Sequence, residues 1–424
     1  MNDLDLDIVR VPWYRTITPM QWRVLGAAKL GYMLDAMDFV LFIMALDELE
    51  KTFGFTTRTS GMLTTIALLT SALGGVVFGM VADRFGRTRA LMATILIFSF
   101  CSLGTATAQS LTALIVWRAL LGLGMGGEWS AGAVLVAETW PAEHRDKAIG
   151  IMQSGWALGY LLAAVAAALI LPTLGWRWLF AFGALPALMV FWVRRAVPEP
   201  EVWLAHSSGA RATVHPIRAI FGHTLISRTV LATLLTGTLM FAYWGLFTWL
   251  PKYLSTPVDK GGAGMGIVKS MGWIVPMQLG AYAGYLSFGF LANRLGRRTT
   301  FCFFLIVAAV LVPIYGRMAD RPAILMALGP LIGFFGHGYF SLFGSLLAEL
   351  FPTSVRSTGQ GFAYGVGRGL SALAPYTIGA VAEAKDSYGE PYGIGAALAL
   401  TSAFFIAGTI MILLLPRTSG KLDK

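Results

Sequence analysis

Long apolar runs alternate along the chain with short polar breaks marked by glycine, proline and basic residues. A bilayer-crossing helix needs about 20 apolar residues. That template fits at about 22–46, 60–82, 89–109, 110–138, 148–172 and 176–195. After a polar, basic stretch it fits six times more, at about 229–251, 268–292, 299–316, 322–350, 357–383 and 392–415. The pattern predicts an all-α membrane protein of 12 transmembrane helices. The expected division is a first six-helix half over 1–195, a cytoplasmic linker over 196–228 and a second six-helix half over 229–424.

The polar breaks repeat as well. Gly79-Met-Val-Ala-Asp83-Arg84-Phe-Gly86-Arg87 recurs 210 positions on as Gly289-Phe-Leu-Ala-Asn293-Arg294-Leu-Gly296-Arg297. Glu138-Thr-Trp-Pro141 with Arg145 recurs 211 positions on as Glu349-Leu-Phe-Pro352 with Arg356, and Gly122 and Gly127 recur as Gly333 and Gly338. Several features at one long period mark a duplicated half, because solenoid repeats are far shorter.

Composition places these halves in a membrane. A 56% hydrophobic share with only 13% charged residues is too apolar for a soluble domain. The net charge of +10 sits between apolar runs rather than on one folded surface, which argues against a nucleic-acid partner. Cys101 and Cys302 fall inside apolar stretches without metal or redox spacing, and no disulfide or cofactor is expected. His206, His215 and His223 in the linker lack the spacing of a metal site.

Basic residues set the orientation. With the N-terminus cytoplasmic, about 20 Lys and Arg fall in cytoplasmic segments, about 9 in outer ones and 3 in the membrane. Both termini and the stretch Arg194 to Arg228 are therefore expected inside. The first 20 or so residues read as a cytoplasmic tail, since they lack the apolar core and cleavage site of a signal peptide.

The loop from Gly79 to Arg89 resembles the signature loop between the second and third helices of major facilitator superfamily transporters, and the layout of two sets of six is similar to theirs over nearly the whole chain. The resemblance implies alternating access around a midplane site built at the interface of the repeats. It also implies that the loops gate and do not bind substrate. The expected gating residues are Gly79, Asp83, Arg84, Gly86, Arg87 and Arg294 with Glu138, Arg145, Glu349 and Arg356. Asn293 stands where the first copy has Asp83, so the second loop is expected to form the weaker charge lock.

Charges inside the membrane carry the candidate chemistry, since each costs at least about 2.5 to 3.5 kcal/mol at a helix centre. They are Lys29, Asp35 and Asp38 in the first run, Arg118 and Glu128 in the fourth and Arg368 in the eleventh, joined by the titratable His337 in the tenth. The third, sixth, ninth and twelfth runs have none in their cores, as lipid-facing helices should. Asp35 and Asp38 lie one turn apart on one helix face, and two such carboxylates in a poorly solvated place do not both ionise easily. Asp35, Asp38 and Glu128 are thus proton-carrying candidates, with static pairing to Arg118 or Arg368 as the alternative for the aspartates, and pairing with Lys29 as that for Glu128. Lys29 has a second possible role, snorkelling to the headgroups. Arg368, flanked by Gly367 and Gly369, cannot deprotonate to escape burial, and its planar fork matches a carboxylate. It is the first choice for a substrate anion. Arg118, His337 and Tyr243 complete the expected substrate set, with a hydrogen-bonded core role as the alternative for His337.

The segments Asp35-Ala-Met-Asp38-Phe39, Gly127-Glu128-Trp129, Tyr243-Trp-Gly-Leu-Phe-Thr-Trp-Leu-Pro251 and Gly359-Gln360-Gly361-Phe362 with Arg368 resemble the bacterial carboxylate:proton symporters of the superfamily, which carry sialate, lactate and aromatic acids. That implies a monomer importing a small organic acid together with a proton. Leaving out His337, the intramembrane charges balance at three positive and three negative, so one bound monocarboxylate calls for one proton. Proton-driven drug efflux and neutral sugar transport are the alternatives on the same fold. A drug exporter's Gly-Pro in the fifth helix is replaced here by Gly155-Trp156. A membrane-embedded enzyme or a receptor is the alternative of another class, but no nucleophile with a base or metal-ligand spacing supports it.

Overall fold

The computed structural model describes residues 12–55, 57–208, 216–255, 257–258, 261–265, 267–385, 387 and 392–415. The expectations for the tail before Pro12 and for His215 fall outside these residues. Among the described residues the chain is helical, without a β-strand. The helices are α1 (Pro19–Phe53), α2 (Thr57–Phe85), α3 (Arg87–Ala106), α4 (Leu111–Thr139), α5 (Arg145–Gln153), α6 (Gly155–Phe182), α7 (Met189–Ala196), α8 (Glu201–Ser208) and α9 (Pro216–Ile220). They continue as α10 (Ile226–Phe247), α11 (Leu250–Ser255), α12 (Ile267–Leu295), α13 (Arg297–Gly316), α14 (Pro322–Gly338), α15 (Phe340–Leu350), α16 (Arg356–Ser371), α17 (Ala374–Glu383), α18 (Gly393–Leu398) and α19 (Leu400–Leu414).

Each of the twelve apolar runs is occupied by helix. Eight stretches of the described residues are long and apolar enough to cross a membrane, and one of them, Ala142–Ala196 with 55 residues, holds both the fifth and sixth runs. The backbone divides those two runs at Gly175, whose φ of 76° and ψ of 178° are not helical. The three runs outside the eight stretches are α1, which carries Lys29, Asp35 and Asp38; α12, whose first turn is described only in part; and α16 with α17, which carries Arg368.

Local chemistry sets the helix ends. Thr18 caps α1 in a reciprocal capping box with Gln21, and Gly54 closes it in the left-handed region at φ 67°. Gly86 and Gly296 turn the chain between α2 and α3 and between α12 and α13 at φ 115° and 88°, which a side chain at Cα would disfavour. Phe100, Leu188, Phe191, Val310 and Leu413, from the third, sixth, ninth and twelfth runs, are exposed, as residues facing lipid should be. The fifth, tenth and eleventh runs break at Ser154, Tyr339 and Ala372, beside the buried polar residues described next.

Helices from the two halves of the sequence meet directly. α2 packs on α16 and α12 on α5. Glycine allows the approach: a Cβ at Gly79 would stand 2.6 Å from the Ser357 carbonyl oxygen, and one at Gly289 would stand 2.7 Å from the Lys147 nitrogen.

Candidate functional site

Arg368 reaches the wall of a small cavity formed with Tyr32, Trp156, Met240, Tyr243, Trp244, Tyr285, Phe340 and Tyr364. The helices bring these together by simple spacing. Tyr32 lies one turn before Asp35 on α1, and Tyr364 one turn before Arg368 on α16. The Arg368 guanidinium stands 5.4 Å from the Tyr364 ring centre. Its Nε is buried without a hydrogen-bond partner, and no carboxylate lies within 4.0 Å of it among the described residues. Coulombic interaction nevertheless links Asp35 with Arg368 and Asp38, and Glu128 with Asp35 and Arg368. Asp35 Oδ2 and both Glu128 carboxylate oxygens are buried without hydrogen-bond partners.

Asp38 faces a different place. Its Oδ1 accepts a hydrogen bond from Ser102, and its Oδ2 lies 3.8 Å from Arg118 Nη1. The Arg118 guanidinium sits 3.9 Å above the Phe42 ring and has no hydrogen-bonded partner, so this fully buried pair is loosely joined. Arg118 therefore does not line the cavity with Arg368, although the sequence reading grouped them for substrate. His337 also stands behind the wall. Its Nδ1 lies 3.1 Å from the Gly333 carbonyl and its Nε2 3.2 Å from the Tyr243 hydroxyl, so it supports Tyr243, which does line the cavity. Lys29 lies 5.4 Å from the Tyr282 ring centre and forms no ion pair with Glu128.

The repeated polar loops meet at one end of the bundle. Asp83 accepts hydrogen bonds from the Ser357 and Thr358 backbone nitrogens at 3.1 and 2.7 Å and from the Thr358 hydroxyl at 2.7 Å, which caps the first turn of α16. Arg87 reaches Asp83 at 3.1 Å and Glu138 at 3.0 Å, and Glu138 also accepts from Arg356 at 2.7 Å. The second copy builds the counterpart: Glu349 accepts from Arg297 at 2.8 Å and Arg145 at 3.2 Å. Each glutamate thus joins an arginine of its own half of the sequence to one from the other half. The Arg145 and Arg356 Nε atoms donate to the Ala137 and Ala348 carbonyls at 2.9 and 3.0 Å, the same bond twice.

Asn293 does not leave the second loop without an acid. Asn293 donates to the Glu143 carbonyl, and a carboxylate is supplied from the opposite side by Asp146, which accepts two hydrogen bonds from Arg297 at 2.6 and 2.8 Å. Asp146 occupies the repeat position of Ser357, so the acid has changed sides of the contact. Arg84 and Arg294 are exposed and make no ion pair among the described residues, so Arg87 and Arg297 are the arginines that these two loops contribute to the lock. Asp146 and Arg297 were absent from the sequence-based site. The 210-residue offset from Arg87 is the signal that finds Arg297, whereas Asp146 has no equivalent acid in the repeat. Apart from Tyr243, the aromatic wall was missed because rings are frequent throughout apolar runs, and only the one-turn spacing of Tyr32 and Tyr364 from charged residues singles any others out.

Comparison with known proteins agrees with this architecture. Residues 30–287 match the Major Facilitator Superfamily. A probable 4-methylmuconolactone transporter of Cupriavidus pinatubonensis is 34% identical over 96% of this chain and 93% of its own. A cis,cis-muconate transport protein of Acinetobacter baylyi is 32% identical over 90% and 91%. Among solved structures, a proton:xylose symporter bound to 6-bromo-6-deoxy-D-glucose superposes with a TM-score of 0.76 at 19% identity, covering 95% of this chain and 97% of that one, and so shares the fold. These relatives are transporters and not enzymes. With twelve helical runs, a duplicated polar loop and a buried cavity between the halves, the chain belongs to the Major Facilitator Superfamily of multi-pass membrane transporters.

Proposed function

We propose that the protein imports a small, flat organic carboxylate together with a proton by alternating access. The observation that carries this reading is Arg368, the one charged residue among the described residues lining the cavity, which has no carboxylate of the described residues within 4.0 Å. A guanidinium buried among aromatic rings is costly to leave uncompensated, and an incoming carboxylate supplies both the charge and two parallel acceptors. Rings on most sides favour a planar or unsaturated body over a hydroxyl-rich one. Relatives named as transporters of 4-methylmuconolactone and cis,cis-muconate support the same class of cargo.

Asp35, Asp38 and Glu128 are the proposed proton-carrying groups. An anion entering a bilayer-buried site whose charges already balance is best accompanied by one proton. The 1–195 and 229–424 segments act as the two moving halves around the 196–228 linker. Gly79, Asp83, Gly86, Arg87, Glu138, Arg145, Glu349 and Arg356 hold the loop face shut, and that face and both termini are cytoplasmic.

The test is uptake into proteoliposomes of labelled benzoate, nicotinate, lactate, xylose and a cationic dye. Uptake of the planar carboxylates, lost in Arg368→Ala, is expected. Saturable uptake of xylose or the dye with none of any carboxylate would overturn the assignment.

A further inference from the structure

Above the charge lock, on the same four helical runs, lies a second layer of contacts between the halves that contains no ion. The Trp129 ring on α4 stacks on the Tyr364 ring on α16, with centres 3.5 Å apart and planes 13° from parallel. The Trp129 indole N–H donates to Gln153 Oε1 at 2.7 Å, and Gln153 Nε2, at the end of α5, donates to the Phe340 carbonyl at 3.3 Å, where α15 begins. Trp129 and Gln153 are 0% and 1% exposed. The sequence repeat relates these four residues in pairs: at the 211-residue offset of Glu138 and Glu349, Trp129 corresponds to Phe340 and Gln153 to Tyr364. Phe340 and Tyr364 line the cavity, whereas Trp129 and Gln153 stand behind them and do not. Each layer is therefore built from one pair of repeat positions on α4 and α15 and another on α5 and α16.

We propose that Trp129 and Gln153 are positioning residues of an inner gate, which forms the floor of the cavity and must part before cargo leaves through the loop face. The inference rests on the alternating-access reading above. A layer without ions suits this place. Its bonds are neutral and few, so water entering from the opened cavity can replace them, and the switch between states need not break a buried ion pair next to the substrate. Stacking also fixes the plane of Tyr364, on whose ring Arg368 rests, so the gate sets the wall against which a planar cargo lies.

The layer is tested by thiol labelling of the full chain in oriented vesicles, with Cys101→Ser and Cys302→Ser as background and Met240→Cys, in the cavity wall, as reporter. Labelling by a membrane-impermeant methanethiosulfonate is measured separately from each face. Gln153→Met keeps the volume but removes both hydrogen bonds, and Trp129→Phe keeps a stacking ring without the N–H. Each is expected to raise the labelling rate from the loop face by about three- to ten-fold, the worth of one or two neutral hydrogen bonds, and to slow it from the other face. Trp129→Ala should act more strongly in the same direction. In uptake, Gln153→Met should lower the maximal rate with apparent KM within about two-fold, because the closed state's lifetime changes more than the contacts to cargo. Labelling at the wild-type rate in Gln153→Met and Trp129→Ala, or faster labelling from both faces alike, would overturn the proposal. Because labelling needs no cargo, it can fail or hold independently of the carboxylate and proton assignment.

Discussion

Arg118 and Arg368 show how one kind of residue meets different surroundings inside the same membrane protein. Arg118 already faces Asp38 at 3.8 Å, whereas Arg368 has an aromatic wall and, among the described residues, no carboxylate at ion-pair distance. Charged hydrogen bonds contribute about 1.5 to 3 kcal/mol. Arg368→Lys, which retains charge but loses the planar fork, is therefore expected to raise the KM for a carboxylate by about ten-fold or more, and Arg368→Ala to abolish saturable uptake. An unchanged KM in Arg368→Lys would show that the fork does not hold the cargo. Tyr243→Phe isolates the hydroxyl that meets His337. It should shift the KM by only a few-fold, and a loss as large as that of Arg368→Ala would place the hydroxyl on the cargo itself. The sequence alone singled out Arg368, since an arginine between glycines in an apolar run needs a reason. It could not separate Arg118 from it, because both are lone arginines in apolar runs and only the packing of α1 against α4 gives one of them a partner.

Among the elements, the loop between α2 and α3 joins the far half of the chain through the first turn of α16. Asp83 accepts three hydrogen bonds there, two of them from backbone nitrogens that the helix itself leaves free. Asp83→Asn keeps the shape and loses the charge facing Arg87 and the helix dipole. It is expected to change the maximal transport rate several-fold with little change in KM, measured by initial-rate uptake; a weakened KM with an unchanged rate would contradict a gating role. Asp146→Asn should act in the same way, because Asp146 supplies the acid that Asn293 lacks. The repeated loops were legible because a Gly-x-x-x-[Asp/Asn]-Arg-x-Gly-Arg pattern survives duplication residue by residue. The exchange of the acid from one side of the contact to the other was not, since it joins residues 151 positions apart with no shared motif.

On the scale of the molecule, duplication explains why both layers of contact between the halves are built from equivalent positions of the two repeats, and the twelve runs follow from apolar length alone. The breaks inside the fifth, tenth and eleventh runs and the place of the cavity depend on how those runs pack, so hydropathy could not locate them. Orientation has its own check: a cysteine introduced at Ser208 should be shielded from an impermeant thiol reagent in intact cells, and labelling there would invert the topology. The central claim is that movement of the anion is tied to a proton carried by the buried carboxylates. It is tested most directly by accumulation of a labelled planar carboxylate in proteoliposomes with an imposed pH gradient, acidic outside, for the wild type and for Asp35→Asn, Asp38→Asn and Glu128→Gln. The account predicts uphill accumulation that a protonophore collapses, lost in at least one of the three variants while that variant still exchanges labelled for unlabelled substrate at equal pH. Gradient-driven accumulation at the wild-type level in all three variants would contradict it.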